Sequence, residues 1–265
     1  MKTKMHFTDN YLINPTNPIT VNLIGAGGTG SQMLTALARM NHSLLALGHA
    51  GLHLTLYDDD VVTTANQGRQ LFADCEVGLP KAVALINRIN RFFGTDWKAV
   101  TKPFTSKNIK QLPERGRANM YITCVDTASA RFDIAEALNN LDVDSRTQRD
   151  KPLYWLDMGN GKNTGQALLA TISYIRQPYS ERYQPTAELP FVTQEFKGLL
   201  EQETNSNEPS CSLAEALEKQ DLFINSTLAN MAASLLWNLF REGMTDTRGF
   251  FLNLKNFKSQ PIAVG

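Results

Sequence analysis

The glycine-rich segment Gly25–Gly30 is the feature that most constrains how this chain can fold. It reads Gly-Ala-Gly-Gly-Thr-Gly and directly follows the apolar run Val21–Ile24. Apolar residues at helical spacing come next: Met33, Leu34, Leu37, Ala38 and Met40. Residues without a Cβ atom allow a sharp turn between a strand and a helix, and the free amides at the start of that helix attract phosphate. The segment predicts a strand–turn–helix unit that binds a nucleotide, with a tight turn lacking any ligand as the alternative.

Strand and helix signals alternate through residues 21–177. We predict strands at Val21–Ile24, Leu52–Leu56, Trp97–Phe104, Met120–Val125 and Leu153–Leu156, and helices at Lys81–Phe93 and Arg131–Leu141. Such alternation favours parallel strands joined by helices. The expected fold is therefore α/β, a Rossmann-like, doubly wound and mostly parallel sheet with helices on both faces.

The alternation ends at Arg176, and a long crossover loop is predicted over about residues 177–212. This stretch holds four prolines and the polar run Glu201–Glu208, so it is either functional or disordered. Beyond it we predict helices at Leu213–Leu217 and Ile224–Phe240 and an edge strand or hairpin within Phe250–Val264. The apolar face of the second helix lies in the core or at a subunit interface. We interpret residues 1–265 as one domain with a core at about 20–175, the crossover, and a C-terminal part at about 213–265.

Composition argues against several classes of function. The 26 basic and 26 acidic side chains cancel, so neither nucleic acid nor an anionic membrane is expected as the main partner. No apolar run approaches the ~18 residues of a membrane-spanning helix. The segment Met1–His6 lacks the apolar stretch of a secretion signal, and three cysteines are too few for a disulfide framework. We expect a protein of the reducing cytoplasm.

An acidic cluster, Asp58-Asp59-Asp60, follows the predicted strand Leu52–Leu56. A carboxylate in this place can accept hydrogen bonds from both hydroxyls of a bound ribose, so Asp58 is a candidate nucleotide ligand. The alternative is a solvated strand end, which is the preferred interpretation for Asp59. The glycine turn and Asp58 alone also suit an NAD-dependent oxidoreductase.

Three further polar motifs follow in order along the chain. They are Asn66-Gln67-Gly68-Arg69-Gln70, then Lys81 at the start of a predicted helix, then Asp126 after a later strand. With Gly25–Gly30 and the Asp58/Asp60 strand end, this order resembles the ThiF/MoeB superfamily of adenylating enzymes, to which ubiquitin-activating enzymes belong. The resemblance spans about Val21 to Tyr174.

A finer likeness is to the ThiF-like proteins of bacterial plasmid-borne PRTRC cassettes. The segments that carry it are Asn14-Pro15-x-x-Pro18, Pro209-Ser210-Cys211-Ser212 and Gln220-Asp221. The family resemblance implies an ATP- and Mg²⁺-dependent adenylyltransferase. Its substrate would be the C-terminal carboxylate of a small ubiquitin-like or sulfur-carrier protein.

The resemblance also assigns roles to individual residues. The nucleotide-binding set it implies is Gly25, Gly27, Gly28, Gly30, Asp58, Asp60, Asn66, Arg69, Gln70 and Lys81. Because adenylation joins two anions, the site needs positioning and neutralising charge. Arg69 can fork onto phosphate oxygens, Lys81 supplies a point charge, and Asn66 donates without adding charge. Asp126 can hold Mg²⁺, which bridges the phosphates.

Each of these residues also has a simpler interpretation when taken alone. Arg69 and Lys81 could be solvated surface cations, and Asp126 could cap the helix that contains Arg131. Gln70 is the weakest member, since it could serve only to shape its turn. Two other functions stay open, an NAD-binding Rossmann oxidoreductase and a non-catalytic ThiF-fold adaptor that binds a partner through residues 177–212.

The sequence departs from the family pattern in two ways. It has no Cys-x-x-Cys pair, so no structural zinc site of the MoeB type is expected. Residues 1–38 contain no arginine, which puts in doubt the composite site that some members form across a homodimer. A homodimer is nevertheless carried over from the family as an expectation.

Cys211 is the candidate for a covalent step after adenylation. It precedes the predicted helix Leu213–Leu217, and a thiol near a helix start has a lowered pKa. The alternative is a small buried residue that anchors the loop. Cys124 is expected to pack in the core, and Cys75 to be a loop residue.

Overall fold

A computed structural model describes residues 2–68, 70–141, 149–202 and 220–265. Its strands are β1 (Thr3–Phe7), β2 (Ile19–Ile24), β3 (Leu52–Tyr57), β4 (Lys98–Val100), β5 (Met120–Thr123), β6 (Tyr154–Asn160), β7 (Thr164–Thr171), β8 (Tyr183–Pro185), β9 (Met244–Thr245), β10 (Thr247–Asn253) and β11 (Lys258–Ala263). Its helices are α1 (Asn10–Ile13), α2 (Gly28–Ala46), α3 (Lys81–Phe93), α4 (Ala128–Asn139), α5 (Val192–Glu195), α6 (Lys197–Gln202) and α7 (Ile224–Glu242).

The central sheet has the strand order β11-β10-β7-β6-β5-β2-β3-β4. The run from β6 to β4 is parallel throughout, whereas β6, β7, β10 and β11 pair antiparallel. A smaller sheet has the order β8-β1-β9. The expected α/β fold with a mostly parallel sheet is confirmed.

Helices cover both faces of the sheet, and its strands are buried on both sides. Along β2, Leu23 belongs to one hydrophobic cluster and its neighbour Ile24 to the other. The first cluster includes Leu34 of α2 and Leu228 of α7, and the second includes Leu138 of α4. Successive residues of a strand point to opposite faces, so a fully apolar strand requires cover on each side.

Helix α3 forms where the sequence predicts it, with the same bounds. Its buried apolar residues Ala82, Leu85, Ile86 and Ile89 recur at the spacing of one helical face. Gly94 ends the helix in the left-handed conformation, with a φ of +69°, and its amide bonds back to Asn90. The start of α3 thereby holds Lys81 at a defined place.

Several boundaries differ from the sequence-based predictions. The strand predicted at Leu153–Leu156 runs on to Asn160 as β6 and turns back into β7, which the sequence analysis did not predict. The strand predicted at Trp97–Phe104 is only the short β4. The C-terminal hairpin is confirmed as β10 and β11. The predicted helix Leu213–Leu217 lies outside the described residues, and the division of the chain into three parts remains an interpretation.

The candidate site residues gather at one edge of the sheet. Because β2, β3, β5 and β6 are parallel, their carboxyl ends meet there, which is where ligands bind in open α/β sheets. The β6–β7 and β10–β11 turns lie at the same edge, because β6 and β10 both run in the direction of the parallel strands. In the described part of the chain, no helix combines the length and the apolar character needed to cross a bilayer.

Candidate nucleotide site

The glycine turn follows β2 and opens α2 in a conformation that only glycine fits. Gly25 has a φ of +95°, and a Cβ atom there would lie 2.7 Å from the Cys124 carbonyl oxygen. A Cβ atom on Gly30 would lie 1.9 Å from the Gly25 carbonyl oxygen. These two glycines therefore let the turn fold tightly against the end of β5.

The other two glycines of the turn have different surroundings. A Cβ atom on Gly28 would lie 2.5 Å from the side-chain amide of Asn225, which is buried at the start of α7. Gly27 faces open space, since no atom of the described residues lies within 4 Å of an added Cβ. It is also the N-cap of α2 and supplies no side-chain hydrogen bond to the first turn. The amides of that turn are thus left for an anion.

Asp58 is hydrogen-bonded to the glycine turn. Its Oδ2 accepts from the Ala26 amide at 2.6 Å, and its Oδ1 accepts from the Asp60 amide at 3.0 Å. Burial raises the pKa of Asp58 above its usual range, and the hydrogen bond from Ala26 and the charge of Lys81 oppose that rise. Each carboxylate oxygen keeps a second lone pair for another donor.

Lys81 and Asp60 form an ion pair beside Asp58. The Lys81 ammonium lies 2.7 Å from Asp60 Oδ2, and the Lys81 amide donates to the Asp60 carbonyl oxygen at 2.9 Å. The lysine side chain is only 9% exposed, whereas that of Asp60 is 69% exposed. The protein therefore fixes this cation in place while leaving the partner carboxylate open to solvent.

The Asn66–Gln70 loop contacts the first turn of α2 through its neighbour Leu71. The Leu71 amide donates to Ser31 Oγ at 3.3 Å. Asn66 uses its Oδ1 to accept from the Thr63 amide at 2.8 Å, which leaves its side-chain NH₂ as the group to offer a ligand. Gln70 is buried, and its Oε1 has no hydrogen-bond partner within the described ranges. Arg69 lies outside the described residues.

Asp126 is exposed just beyond β5, in a segment held by a buried ion pair. The guanidinium of Arg131 donates to the Val125 carbonyl oxygen at 3.0 Å and to Asp157 Oδ2 at 3.2 Å. Burial raises the pKa of Asp157, an effect that the charge of Arg131 opposes. Thr123 donates to the other oxygen of Asp157 at 2.6 Å. Arg131 therefore fixes the backbone next to Asp126.

A polar cluster that the sequence analysis missed lies on the opposite side of the turn. The Thr29 hydroxyl is 3.0 Å from the side-chain amide oxygen of Asn160 and 2.9 Å from that of Asn225. Asn160 ends β6 and Asn225 lies in the first turn of α7. The available sequence signal was a polar residue at the border of an apolar segment. Asp157 could have been found in a similar way, as a polar residue within the apolar segment Leu153–Met158.

The structure thus brings most of the predicted site residues into one connected region. The glycine turn contacts Asp58, Asp60 contacts Lys81, and the Asn66–Gln70 loop joins through Leu71. Cys124 is buried, and burial raises the pKa of its thiol well above the usual range, which suits the predicted packing role. Cys75 is exposed, but it lies in a short 3₁₀ helix, Asp74–Glu76, and not in the loop that was expected. Cys211 lies outside the described residues.

The ThiF family profile matches residues 16–263, which is most of the sequence. This chain belongs to the ThiF family. A ubiquitin-like modifier-activating enzyme 5 from Aedes aegypti is 26% identical to this ThiF-family chain over 169 residues, 59% of the chain and 37% of the relative. The protein of the same name from Arabidopsis thaliana is 27% identical over 153 residues, 52% and 33% of the two chains. The chain spans about a third of the length of these relatives.

Solved structures show that the ThiF-family fold extends over nearly the whole chain. PaaA superposes with a TM-score of 0.59 at 15% identity, covering 93% of this chain and 64% of PaaA. MccB of E. coli, crystallised with MccA, superposes with a TM-score of 0.57 at 13% identity, covering 96% and 65% of the two chains. At such low identity the likeness establishes the fold alone.

Proposed function

We propose that this protein uses ATP and Mg²⁺ to adenylate the C-terminal carboxylate of a small ubiquitin-like or sulfur-carrier protein. The observation that carries the proposal is the series of contacts from Ala26 to Asp58 and from Asp60 to Lys81. These contacts join the start of α2, the Asp58 carboxylate and the buried Lys81 at the carboxyl edge of the sheet, and they support assigning the three groups to the phosphates and ribose of a nucleotide. The alternative of an NAD-binding oxidoreductase assigns no role to Lys81.

The residues present fit a bound ATP. The uncapped first turn of α2 and the open space at Gly27 suit the phosphates, and the remaining lone pairs of Asp58 suit the ribose hydroxyls. Gln70 offers a buried acceptor for which the described residues supply no donor, and a hydroxyl or amino group of the nucleotide would satisfy it. We assign Lys81 to the phosphates, with its ammonium held in place by Asp60.

The residues also fit a magnesium ion that arrives with ATP. Asp126 offers an exposed carboxylate, the oxygen ligand that Mg²⁺ prefers. Across the described ranges, no group of three or more His, Cys, Asp or Glu side chains is placed to hold a metal, so phosphates and water would supply the other ligands. When bound, the ion neutralises charge on the leaving pyrophosphate.

The chemistry assigned to the site is a displacement at the α-phosphorus. A carboxylate oxygen of the substrate attacks, the bond from the α-phosphorus to the oxygen bridging it to the β-phosphate breaks, and pyrophosphate leaves with the electron pair. The chain's part is to hold two anions together. Lys81 and the α2 amides reduce their repulsion, Arg69 is assigned a second cationic contact, and Asn66 a neutral one.

The relatives support the class of substrate. Two are named as activating enzymes for ubiquitin-like modifiers, and MccB has been crystallised with AMPCPP and MccA. PRTRC membership, a cytoplasmic location, a homodimer and a thioester on Cys211 remain predictions. The alternative of a non-catalytic adaptor gains no support from the buried Lys81. A protein that only binds a partner does not need a cation held next to a glycine turn of the nucleotide-binding type.

Exchange of labelled pyrophosphate into ATP tests the proposal. Ubiquitin and bacterial sulfur-carrier proteins that end in Gly-Gly serve as candidate substrates. We expect carrier-dependent exchange by the wild type and its loss in Asp126→Asn and Lys81→Met. Lys110→Met is the matched control, since Lys110 is exposed on another part of the surface. Absence of exchange with every carrier, together with NAD binding tighter than ATP binding, would refute the proposal.

A further inference from the structure

A groove of about 540 Å³ lies beside β1 at the amino edge of the sheet, opposite the candidate nucleotide site. The place of β1 is fixed by His6, which contacts Tyr154, the first residue of β6. Two tyrosines, two prolines and a lysine are prominent in its lining: Tyr179, Tyr183, Pro178, Pro185 and Lys2. We call it the tyrosine groove. Its volume is within the range typical of ligand sites.

Contacts with β1 and within the groove fix its shape. The side-chain oxygen of Gln177 accepts from the Phe7 amide at 2.8 Å, and its NH₂ group donates to the Phe7 carbonyl oxygen at 2.9 Å. Lys2 Nζ donates to the Ser180 carbonyl oxygen at 3.3 Å, and the Tyr183 amide donates to Ser180 Oγ at 3.0 Å. The chain therefore forms the groove by itself, which lowers the entropy cost of binding a ligand there.

The two tyrosine rings of the groove have different surroundings. Tyr183 contacts Arg182, whose guanidinium lies 5.1 Å from the ring centroid, and Phe7, whose ring centroid lies 6.3 Å away. Tyr179 is 88% exposed, and within the described ranges its ring stacks on no other aromatic side chain. A fixed ring and an exposed ring that line one groove with two prolines mark a surface that another molecule covers.

The backbone at the groove is unsuited to pairing with an added strand. β8 is an edge strand of the small sheet, but it has only three residues and ends in Pro185, which has no amide proton to donate. Side chains must therefore recognise the ligand. The hydroxyls of Tyr179 and Tyr183 and the ammonium of Lys2 are hydrogen-bond donors for carbonyl oxygens of a ligand.

A second cavity, of about 420 Å³, adjoins the tyrosine groove and shares Lys2 and Gln184 with it. It adds a second exposed lysine, Lys4. Among the described residues that line the two cavities, Asp246 is the one acidic side chain, and it accepts from the Thr247 hydroxyl at 3.0 Å. The cavities together are elongated and carry an excess of positive charge, so they favour an extended ligand with acidic groups.

These features match an extended, proline-rich peptide that has acidic residues beside its prolines. Such a peptide forms a polyproline II helix, which has no internal hydrogen bonds and leaves its carbonyl oxygens free for donors. Aromatic-lined grooves bind peptides of this kind, and the preformed helix loses little entropy on binding. The tyrosines suit the prolines, and the lysines suit the acidic residues.

Single-stranded nucleic acid also stacks on tyrosine rings, but its backbone needs a positively charged track. Lys2 is the one lysine or arginine among the described residues that line the tyrosine groove. The chain as a whole has 26 basic and 26 acidic side chains, so it has no general attraction for polyanions. The groove therefore favours a peptide over a nucleic acid.

We propose that the tyrosine groove binds a proline-rich, acidic segment of another protein. The inference is independent of the proposed function, because Asp58 and Lys81 lie at the opposite edge of the sheet. It gives the chain a second binding surface that recruits a partner while the nucleotide site stays accessible.

Fluorescence polarisation with labelled synthetic peptides tests the inference. The probes are a run of prolines followed by glutamates and the same residues in reverse order. In two control peptides, lysines replace the glutamates or glycine and serine replace the prolines. We expect the wild type to bind an acidic proline peptide and to bind both controls at least about tenfold more weakly. Failure to bind either acidic proline peptide, or equal affinity for the controls, would overturn the inference.

Tyr179→Ala should weaken binding of the acidic proline peptide about tenfold or more, since an exposed aromatic anchor is lost. Because Tyr179 is almost fully exposed, the unfolding temperature and pyrophosphate exchange should stay at wild-type values. Tyr174→Ala is the matched control, since Tyr174 is 68% exposed and lines neither cavity. Equal peptide affinity in the wild type and Tyr179→Ala would contradict the proposal.

Two further measurements identify a different occupant of the groove. If oligothymidylate binds more tightly than the peptides and loses that affinity in Tyr179→Ala, the groove is a nucleic-acid site and the proposal fails. Sedimentation of the wild type and Tyr179→Ala tests for a second copy of the chain. Self-association that Tyr179→Ala abolishes, without any peptide binding, would assign the groove to a contact between copies and overturn the proposal.

Discussion

The Asp58 carboxylate accepts a 2.6 Å hydrogen bond from the amide of Ala26, which lies 32 residues earlier in the chain. This contact joins the end of β3 to the glycine turn. It means that the proposed ribose acceptor also shapes the backbone that receives the phosphates. Substitutions of Asp58 should therefore separate its effect on ATP binding from its effect on the stability of the turn.

Asp58→Asn is expected to keep the hydrogen bond from Ala26, because its amide oxygen can still accept there, and to lose the one from the Asp60 amide, because its NH₂ group cannot accept. Loss of the charge should weaken ATP binding about tenfold, since hydrogen bonds to a charged group contribute about 1.5–3 kcal/mol. Asp58→Ala should weaken ATP binding further and lower the unfolding temperature. Calorimetric titration with ATP and thermal unfolding measure both effects, and equal ATP affinity in all three proteins would contradict the assignment.

The glycines of the turn provide a matched pair of variants. In Gly30→Ala the new Cβ atom would lie 1.9 Å from a backbone oxygen, so we expect a loss of about 1–3 kcal/mol in the free energy of unfolding. In Gly27→Ala the new atom has no neighbour within 4 Å among the residues that the structure describes, so stability should stay near the wild type. Because the phosphates are assigned to that open space, Gly27→Ala should still weaken ATP binding. Unchanged ATP affinity there would place the phosphates elsewhere.

A double-mutant cycle should measure how much the buried ion pair Arg131–Asp157 contributes to the free energy of unfolding. Arg131→Met leaves a buried carboxylate without its partner and is expected to cost about 3–5 kcal/mol in urea denaturation. Adding Asp157→Leu should restore much of that stability, since an apolar pair can replace a buried ion pair. Exchange activity should not return, because the carbonyl of Val125 beside Asp126 is no longer held. Full recovery of activity would show that Arg131 does not position Asp126.

The burial of His6 leads us to expect that the free energy of unfolding depends on pH. It is fully buried, with Nδ1 2.7 Å from the Thr186 carbonyl oxygen and Nε2 2.9 Å from the Tyr154 hydroxyl. Burial lowers the pKa of His6, although the bond to Thr186 opposes this. As the pH falls below about 6.5, the unfolded chain therefore takes up a proton before the folded one, and the free energy of unfolding decreases.

Urea denaturation between about pH 7.5 and about pH 5.5 measures this dependence. The matched variant is His6→Gln, which lacks the titrating group and should show a flatter profile. An identical slope in the two proteins would mean that His6 does not contribute. This test concerns the link between β1, β6 and Thr186 in the crossover, and it is independent of the nucleotide site.

The sequence predicts the core of the fold well because its signals are local. The glycine turn and the helix Lys81–Phe93 follow from steric freedom and apolar spacing within a few residues. The hairpin of β6 and β7 was missed, since β6 is buried along almost its whole length and nothing local shows that its neighbour returns antiparallel. Strand pairing of that kind is decided by tertiary packing.

The sequence indicated a set of candidate residues but not the contacts among them. Lys81 and Asp60 were both expected in the nucleotide site, yet their pairing depends on where α3 begins relative to the end of β3. Thr29 and Asn225 are 196 residues apart and meet only because α7 packs against α2. Contacts of this kind follow from the assembled fold and not from any motif.

Intact mass of the carrier after incubation with ATP and Mg²⁺ tests the central claim most directly. The carrier is the protein that supports exchange, and the enzymes compared are the wild type, Cys211→Ala and Asp126→Asn. We predict a carrier heavier by one adenylyl group with the wild type and with Cys211→Ala, and an unmodified carrier with Asp126→Asn. An unmodified carrier with all three enzymes, or equal modification by Asp126→Asn, would contradict the account.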